Sequence, residues 1–461
     1  MLAVTAIFLA IMLGQLGLVT MRYKLNKNKV ASSQALHIAE AGVNYYRWVL
    51  YHDHDEYISR GCTSPGNICG PFGPYAYKDS AGGTITGYYK LYITPPATNG
   101  PSWSSYSTLA DDYMRFGVGT DVQGPIHSNL GIRFDGVAHH VVSSASATTT
   151  EPSGSRTEFG VYNYLPSMDP VPDGNNPPLN MPDKPNIFIA GRSFPVTTVS
   201  FSLLNNYIGE VYKLATSAGI VFDPAPAGTA DPASRSEYWG CGTSGSTCDE
   251  GFHIALKTDN TFNIRGVTAV VPDCGTSTNS IDAEQADASA RNYNIPANGI
   301  IFVKKRIWVD GQINNSRVTI LAFNEPIADP NGTADINLGK KDLSYTNYDG
   351  TDAIGLIAQR DVNIGLDSKD NLRIDAALIA KNGRIGRYYY TSGCVNYKRN
   401  TITVYGSLST KKRYGFSYIC GTTYCSGYDK RYLIYDNNLT FAPPPHYPTT
   451  GEYTFISWKE N

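Results

Sequence analysis

The sequence predicts a mainly β protein with one long N-terminal α-helix and a body folded as a right-handed parallel β-helix. An apolar run opens the chain, Gly (44), Pro (27) and Tyr (33) are abundant, and charged residues make up only 17%. Short β-branched segments with glycine at their ends then recur through residues 115–410. This composition is typical of an extracellular β-rich protein. A β-sandwich is the alternative, although few Asn-Gly or Asp-Gly hairpins separate matched strands.

Residues 1–50 are predicted to form one continuous helix of about 70 Å at 1.5 Å per residue. Its uncharged front half is long enough to cross a bilayer. The cations at positions 22, 24, 27 and 29 follow the apolar run, whereas in a cleaved secretory signal they precede it. The back half is amphipathic. The apolar side chains expected in a membrane or filament core are those of Leu2, Ile7, Phe8, Leu9, Ile11, Leu16 and Leu18.

The end of this helix carries Ala39, Glu40, Ala41 and Gly42, four residues after Ala35. This A-x-x-x-A-E-A-G phrase resembles the N-terminal segment of type IV pilin-like proteins, and of PilX-like minor pilins in particular. The resemblance implies a single-pass inner-membrane protein before assembly and an extracellular pilus subunit afterwards. Its partners are then other pilin-like subunits, which it contacts through the helix.

The start of the chain bears on which kind of pilin is implied. Major pilins carry Glu at the fifth mature position, and this position is Thr5 if Met1 is the mature start. The difference implies a minor subunit. Pilin precursors also carry a basic leader ending in Gly, so the chain is expected to be the mature form or to lack its start. Later phrases such as GPIHSNLGIRFDG and AALIAKNGRIG also resemble large PilX-like pilus proteins.

Eight cysteines indicate disulfides in an oxidising compartment. Close pairs enclose turn residues, and two further cysteines remain. Free thiols are one alternative and zinc another, although zinc sites need two pairs with gaps of two to four residues. The connectivity of the last four is left open. The candidates are Cys62 with Cys69, Cys241 with Cys248, and then Cys274, Cys394, Cys420 and Cys425.

The rest of the chain is predicted in three parts. Residues 51–114 are a connecting α/β region that contains a strand at 87–93. Residues 115–410 are the solenoid, with loop insertions at 137–185, 224–250 and 272–298. Residues 411–461 are a disulfide loop followed by a Pro- and aromatic-rich strap that seals the solenoid end or packs on the helix base. A ligand-binding platform is the alternative reading of this strap.

An internal repeat supports the solenoid. Leu356–Gly365 aligns with Leu378–Gly386, with an offset of 22 residues at the leucine and 21 at the glycine. A period near 20–25 residues is typical of stacked β-coils. Alanines at 358, 376, 377 and 380 suit a narrow interior.

No common hydrolase, zinc-protease, P-loop or dinucleotide motif is present, so no catalytic residue and no cofactor is predicted. His127 lies near Ser128, Asn129 and Asp135, but neighbours in sequence need not form a catalytic site. A Ca²⁺ loop at Asp329–Asp335 is a weaker alternative because it lacks the closing Glu of an EF-hand. His52 and His54 are expected in a solvated segment.

The charge pattern favours no general partner. The formal net charge is −2, and the basic triplets 304–306 and 411–413 indicate nucleic acid only weakly. A membrane-anchored β-helix enzyme acting on polysaccharide is the first alternative function, and an envelope adhesin outside any filament is the second. The side chains that would form a charged enzyme face are Asp361, Asp367, Asp370, Asp375, Lys381, Arg384 and Arg387.

Overall fold

The protein is mainly β, with a helical segment near its N-terminus and a large, predominantly parallel sheet. The chain divides into two compact units. The first comprises residues 1–100 and 452–461, and the second comprises residues 101–451. The computed structural model describes residues 15, 20–35, 37–42, 45–46, 69–78, 83–93, 102–152, 154–223, 236–238, 250–275, 277–284, 290–327, 329–420 and 423–449.

In the first unit, residues 20–35, 37–42, 45 and 46 are helical. An antiparallel hairpin, Cys69–Lys78 with Ile85–Ile93, follows. Side chains at 75–78 and 87–92 alternate between half-buried and exposed, as expected for a strand pair with one covered face. Tyr75 lies opposite Tyr89, and their ring centroids are 5.4 Å apart. The strand predicted at 87–93 is therefore confirmed.

The second unit is organised by three series of parallel pairings, here called the first, second and third ladders. The first ladder joins, in spatial order, Ser236–Tyr238, Ile220–Asp223, Ile300–Val303, Arg317–Ala322, Ala353–Ala358, Asn371–Ala380, Lys398–Thr410, Thr108–Ala110, Ile126–Ser128, Val142–Ser144 and Arg192–Ser193.

The spatial order of this ladder differs from the chain order at one point. Lys398–Thr410 pairs with Thr108–Ala110, near the start of the unit, in the register Leu408 to Thr108. The chain therefore enters the first ladder in its middle, at Thr108–Ala110, and adds strands toward one end. Its later strands start at the opposite end and return to the middle. This pairing extends the body beyond the predicted range of 115–410.

The second ladder joins Gly251–Leu256, Ile307–Ile313, Ile336–Leu338, Val362–Ile364 and Ile385–Arg387. A bridge between Gly386 and Gly415 continues it. A separate parallel sheet consists of Met114–Phe116, Ile132–Phe134 and Val161–Tyr162. The third ladder joins Ile307–Ile313, Leu343–Tyr345, Asn371–Ala380, Lys398–Thr410, Thr423–Tyr435, Thr120–Gln123 and Val137–Ala138.

The second unit also contains antiparallel strands and helices. The strand Thr261–Asp273 pairs with Gly251–Leu256, Ser277–Glu284 and Arg291–Asn294. Thr148–Thr150 pairs with Thr157–Phe159, and Ser417–Cys420 pairs with Thr423–Tyr435. The α-helix Leu203–Ala218 and the 3₁₀ turns Trp103–Ser105 and Asn437–Thr440 complete the described elements of this unit.

Side chains alternate between two apolar clusters along the first ladder. Ile301 and Val303 belong to the inner cluster, whereas Ile300 and Phe302 belong to an outer one. Because both faces are covered, these strands are near-continuously apolar, as in buried parallel sheets. The predicted repeat is part of this packing, since Leu356 pairs directly with Leu378. Further along the offset becomes 23 residues, so Gly386 pairs with Asn363 and not with Gly365 as the repeat predicts.

The outer cluster is covered by the helix Leu203–Ala218 and by the C-terminal segment. Leu204, Ile208, Val211 and Ala215 from the helix are buried in it. Tyr447 is buried there as well, and Trp103 donates a hydrogen bond from Nε1 to the Thr449 carbonyl at 3.0 Å. The predicted C-terminal part thus contributes the ladder strand Thr423–Tyr435, and residues 437–449 after it place Leu439 and Tyr447 in the outer cluster.

Two disulfides are present among the described cysteines. Cys274 bonds to Cys394 across 120 residues, and Cys420 bonds to Cys425 across the hairpin Ser417–Cys420 with Thr423–Tyr435. Cys69 is a free cysteine, which departs from its predicted pairing with Cys62. The prediction placed these two in one short Gly/Pro loop, whereas Cys69 is already the first residue of a paired strand. Cys62, Cys241 and Cys248 lie outside the described residues.

Candidate functional site

The N-terminal helix presents two different surfaces along its length. Every described residue from 20 to 35 is exposed, and apolar side chains are among them. Ile38, Gly42 and Tyr46, by contrast, are buried. Their spacing of four residues places them on one helix face. The helix therefore has a packed base and a bare stem. The exposed large apolar side chains of the stem are Met21, Tyr23, Leu25 and Val30.

The packed base rests on the hairpin through two glycines. A Cβ atom built on Gly42 would stand 2.6 Å from Cδ2 of Tyr89, and one built on Gly87 would stand 2.5 Å from Cδ1 of Ile38. Each glycine lets a larger side chain of the other element approach closely. The glycine of the pilin-like phrase is thus the residue that lets the helix seat on the tyrosine.

The other residues of the phrase face outward to different degrees. Ala39 and Ala41 are half-buried, whereas Glu40 is exposed and pairs with His37 at 3.6 Å. No helix among the described residues is long and apolar enough to span a membrane. The front-half residues Leu2, Ile7, Phe8, Leu9, Ile11, Leu16 and Leu18 lie outside the described residues.

Replacing Gly42 by leucine is expected to loosen the hairpin from the helix. The new side chain would overlap the Tyr89 ring, and overpacking of this kind costs about 1–3 kcal/mol. Hydrogen–deuterium exchange of amides 69–78 and 85–93 in the full chain should therefore be faster in Gly42→Leu. Glu40→Leu places the same side chain on the exposed side of the helix and should leave exchange unchanged. Equal exchange in wild type and Gly42→Leu would contradict this packing.

His127 is buried in the first ladder. Its Nε2 lies 3.2 Å from Asn129 Oδ1 and its Nδ1 lies 3.1 Å from Ser143 Oγ. Burial lowers the pKa of His127, despite the hydrogen bond with Asn129. Asn129 also donates to the Val199 carbonyl at 2.7 Å, so the group ties a covering segment to the ladder. Asn129 is thus the predicted neighbour that joins His127, whereas Ser128 and Asp135 do not: Ser128 Oγ donates to the Asp112 carbonyl, and Asp135 binds Arg133.

The predicted charged face is spread over different surfaces. Asp361 accepts the Arg384 backbone N–H at 2.7 Å beside the second ladder. Asp375 lies in the third ladder, where it accepts hydrogen bonds from Arg373 and Tyr348. Burial raises the pKa of Asp375, although these contacts oppose it. Asp367 accepts a hydrogen bond from Ser280 Oγ at 3.0 Å. The carboxylates therefore do not converge.

The remaining predicted ligands are placed as follows. Asp335 of the candidate Ca²⁺ loop forms an ion pair with Arg360, whereas Asp329 accepts the Asn331 N–H at 2.8 Å. The residues that the structure describes contain no group of three His, Cys, Asp or Glu side chains that could hold a metal ion. His52 and His54 lie outside the described residues.

The basic triplets are largely engaged within the protein. Lys304 pairs with Asp223 at 3.0 Å and with Glu325 at 3.1 Å. Lys411 pairs with Asp111. These contacts neutralise part of each triplet, which weakens the case for a nucleic-acid surface built from them.

One buried ionic group has no signal in the sequence. His253 Nδ1 lies 2.7 Å from Glu284 Oε2, and its Nε2 lies 3.0 Å from Asp310 Oδ2. Burial alone would lower the pKa of His253, but the two carboxylates raise it to about 9. The imidazole is therefore a cation at neutral pH. It fastens the antiparallel strand Ser277–Glu284 to the second ladder.

Comparison with protein-family models, with curated proteins and with solved structures finds no match to this chain.

Proposed function

We propose that this protein is a structural subunit of a type IV pilus or a related filament, inserted by its N-terminal helix. The observation that carries the proposal is the bare stem, residues 20–35, with Met21, Tyr23, Leu25 and Val30 exposed. Exposed apolar side chains repeated along a helix gain free energy when another surface covers them. In the proposal, the helices of neighbouring subunits provide that surface in the filament.

The seated base of the helix supports the same arrangement. Gly42 packs against Tyr89, so the stem extends from a fixed point on the hairpin. The phrase that resembles pilin-like proteins ends at this glycine. Before assembly, the apolar front of the helix would be held in the inner membrane. After assembly, the second unit would be displayed outside the cell for assembly, adhesion or uptake.

For the displayed body we propose the finer fold of a right-handed parallel β-helix. The support is the repeated passage of the chain through the first, second and third ladders. Residues 300–303, 307–311 and 311–313 follow this order, and 353–358, 362–364 and 371–374 repeat it. Right-handed crossovers between parallel strands are the strong preference in proteins. A rigid stacked body suits display at a filament tip.

The test is the location of an epitope-tagged full chain in cells that produce it. We expect the protein in the sheared filament fraction, with gold label on filaments or at their tips. Leu25→Glu with Val30→Glu should keep it in the cell envelope, because charges in place of the apolar side chains prevent helix packing. Asn26→Glu with Asn28→Glu adds the same charge at exposed polar positions of the same stem and should still reach filaments.

Two outcomes would overturn the proposal. One is an even distribution of wild-type label over the envelope, which would instead indicate an anchored adhesin. The other is undiminished filament recovery of the Leu25→Glu, Val30→Glu variant.

A further inference from the structure

A pocket of about 210 Å³ in the second unit is lined by four arginines. It lies beside the hairpin that Cys420 and Cys425 close. No aspartate or glutamate is among the described residues that line it. Two tyrosines, Tyr389 and Tyr418, stand at its wall with ring centroids 5.2 Å apart. The lining cations are Arg115, Arg384, Arg413 and Arg431.

Arg431 places a fixed positive charge in this lining. Its side chain is only 3% exposed, and among the described residues it has no ion pair. Nε donates to Thr120 Oγ1, and the two terminal nitrogens donate only to backbone carbonyls. The carbonyls orient the guanidinium without neutralising it. A buried charge of this kind is costly unless an opposite charge approaches it. The accepting carbonyls are those of Gly117, Val118, Tyr428 and Asp429.

Arg384 supplies donors that are incompletely used. It donates to Tyr418 Oη at 3.3 Å and to the Arg387 carbonyl at 2.8 Å. Its Nε is buried and has no hydrogen-bond partner. Planar guanidinium donors match the paired oxygens of a carboxylate, sulfate or phosphate.

The other two arginines complete the cationic lining. Arg413 is exposed, and only its backbone N–H, at 3.1 Å, contacts a carboxylate, that of Asp112. Arg115 pairs with Glu151 at 3.3 Å, and that carboxylate is shared with Arg133. Glu151 therefore neutralises Arg115 only in part, and the four arginines keep the lining net positive.

We propose that this pocket binds an acidic sugar residue, with Arg384 and Arg413 holding its carboxylate or sulfate oxygens and Arg431 adding positive charge behind them. The volume admits one ring, since pockets for larger ligands span about 300–1,000 Å³. The exposed Tyr389 ring offers an apolar surface to the sugar ring, and the Tyr418 hydroxyl offers a polar group. Free phosphate or sulfate shares the oxyanion chemistry but would leave the tyrosine wall unused. This proposal does not rest on the proposed filament function.

Calorimetric titration of the purified full chain tests the proposal with four probes: glucuronate, inorganic sulfate, inorganic phosphate and neutral glucose. We expect glucuronate to bind at least tenfold more tightly than either inorganic ion, and glucose not to bind. Arg384→Gln and Arg413→Gln should each weaken glucuronate binding at least tenfold, because each removes a charged hydrogen-bond donor from the oxyanion. Tyr389→Ala should weaken glucuronate binding while leaving sulfate binding unchanged. Lys257→Gln removes an equal charge away from the lining and should change nothing.

Three results would contradict the proposal. Absence of binding by all three anions would remove the site. Glucuronate binding unchanged by Arg384→Gln and Arg413→Gln would place it elsewhere. Inorganic ions that bind as tightly as glucuronate would leave an oxyanion site without sugar selectivity, which overturns the proposed ligand. None of these results depends on whether the chain enters filaments, so each is distinguishable from failure of the filament proposal.

Discussion

Raising the pH from 6.5 to 9 is expected to lower the free energy of unfolding by about 3 kcal/mol through His253 alone. In the folded protein Glu284 and Asp310 hold the pKa of this buried imidazole at about 9, whereas an unfolded histidine titrates near 6.5. A folded-state pKa above the unfolded value stabilises the protein below pH 6.5. That stabilisation is lost as the pH rises through 9. Urea unfolding at several pH values measures the slope.

Variants separate this histidine from other titrating groups. Glu284→Gln removes one of the two carboxylates that raise the folded-state pKa, so the loss of stability above pH 6.5 should be smaller and should end at a lower pH. His253→Gln should flatten the profile between pH 6.5 and 9. His139→Gln is the matched control, because His139 is 42% exposed at the side chain and pairs with Asp121 at the surface. Its profile should follow wild type. A flat wild-type profile, or an unaltered slope in His253→Gln, would contradict this account.

The sequence predicts the local packing of the body better than its overall path. The leucine repeat gives the observed register of Leu356 with Leu378, because stacked coils place equivalent apolar residues above one another. It does not give the pairing of Leu408 with Thr108, which joins residues 300 positions apart. No local pattern encodes which distant strand edge will be covered.

The helix Leu203–Ala218 was absent from the prediction, although its pattern was readable. Leu204, Ile208, Val211 and Ala215 recur at spacings of four, three and four, and all are buried. A stripe of this kind predicts an amphipathic helix. The strand-rich segments on both sides obscured it.

The helix base and the arginine pocket also differ in how far the sequence reveals them. Gly42 lies in a contiguous phrase, so the sequence singled it out, yet its contact with Tyr89 is visible only in the fold. The arginine pocket could not be foreseen, because Arg115 and Arg431 are brought together by pairing of residues 120–123 with 431–434. The sequence placed Arg384 on a charged face, whereas the fold places it among other cations.

Replacing Tyr447 by alanine is expected to lower the free energy of unfolding of the second unit by about 3–5 kcal/mol, as for other large aromatic truncations in cores. Tyr447 is 1% exposed and belongs to the outer cluster that also holds Trp103 and Leu439. Its removal would leave a cavity between the C-terminal segment and the first ladder. Phe441→Ala is the matched control, since Phe441 is 66% exposed, and it should change stability by about 0.5 kcal/mol or less.

A double-mutant cycle with Gly355 tests whether the tyrosine acts through the ladder face beneath it. A Cβ atom at Gly355 would stand 2.9 Å from Cδ2 of Tyr447 and 2.9 Å from Cβ of Pro444. Gly355→Ala should therefore destabilise the wild type by overpacking, and should cost less in the Tyr447→Ala background, where the ring is gone. Calorimetric unfolding of the four proteins measures the coupling. Strict additivity would mean that the C-terminal segment stabilises the body without resting on this glycine.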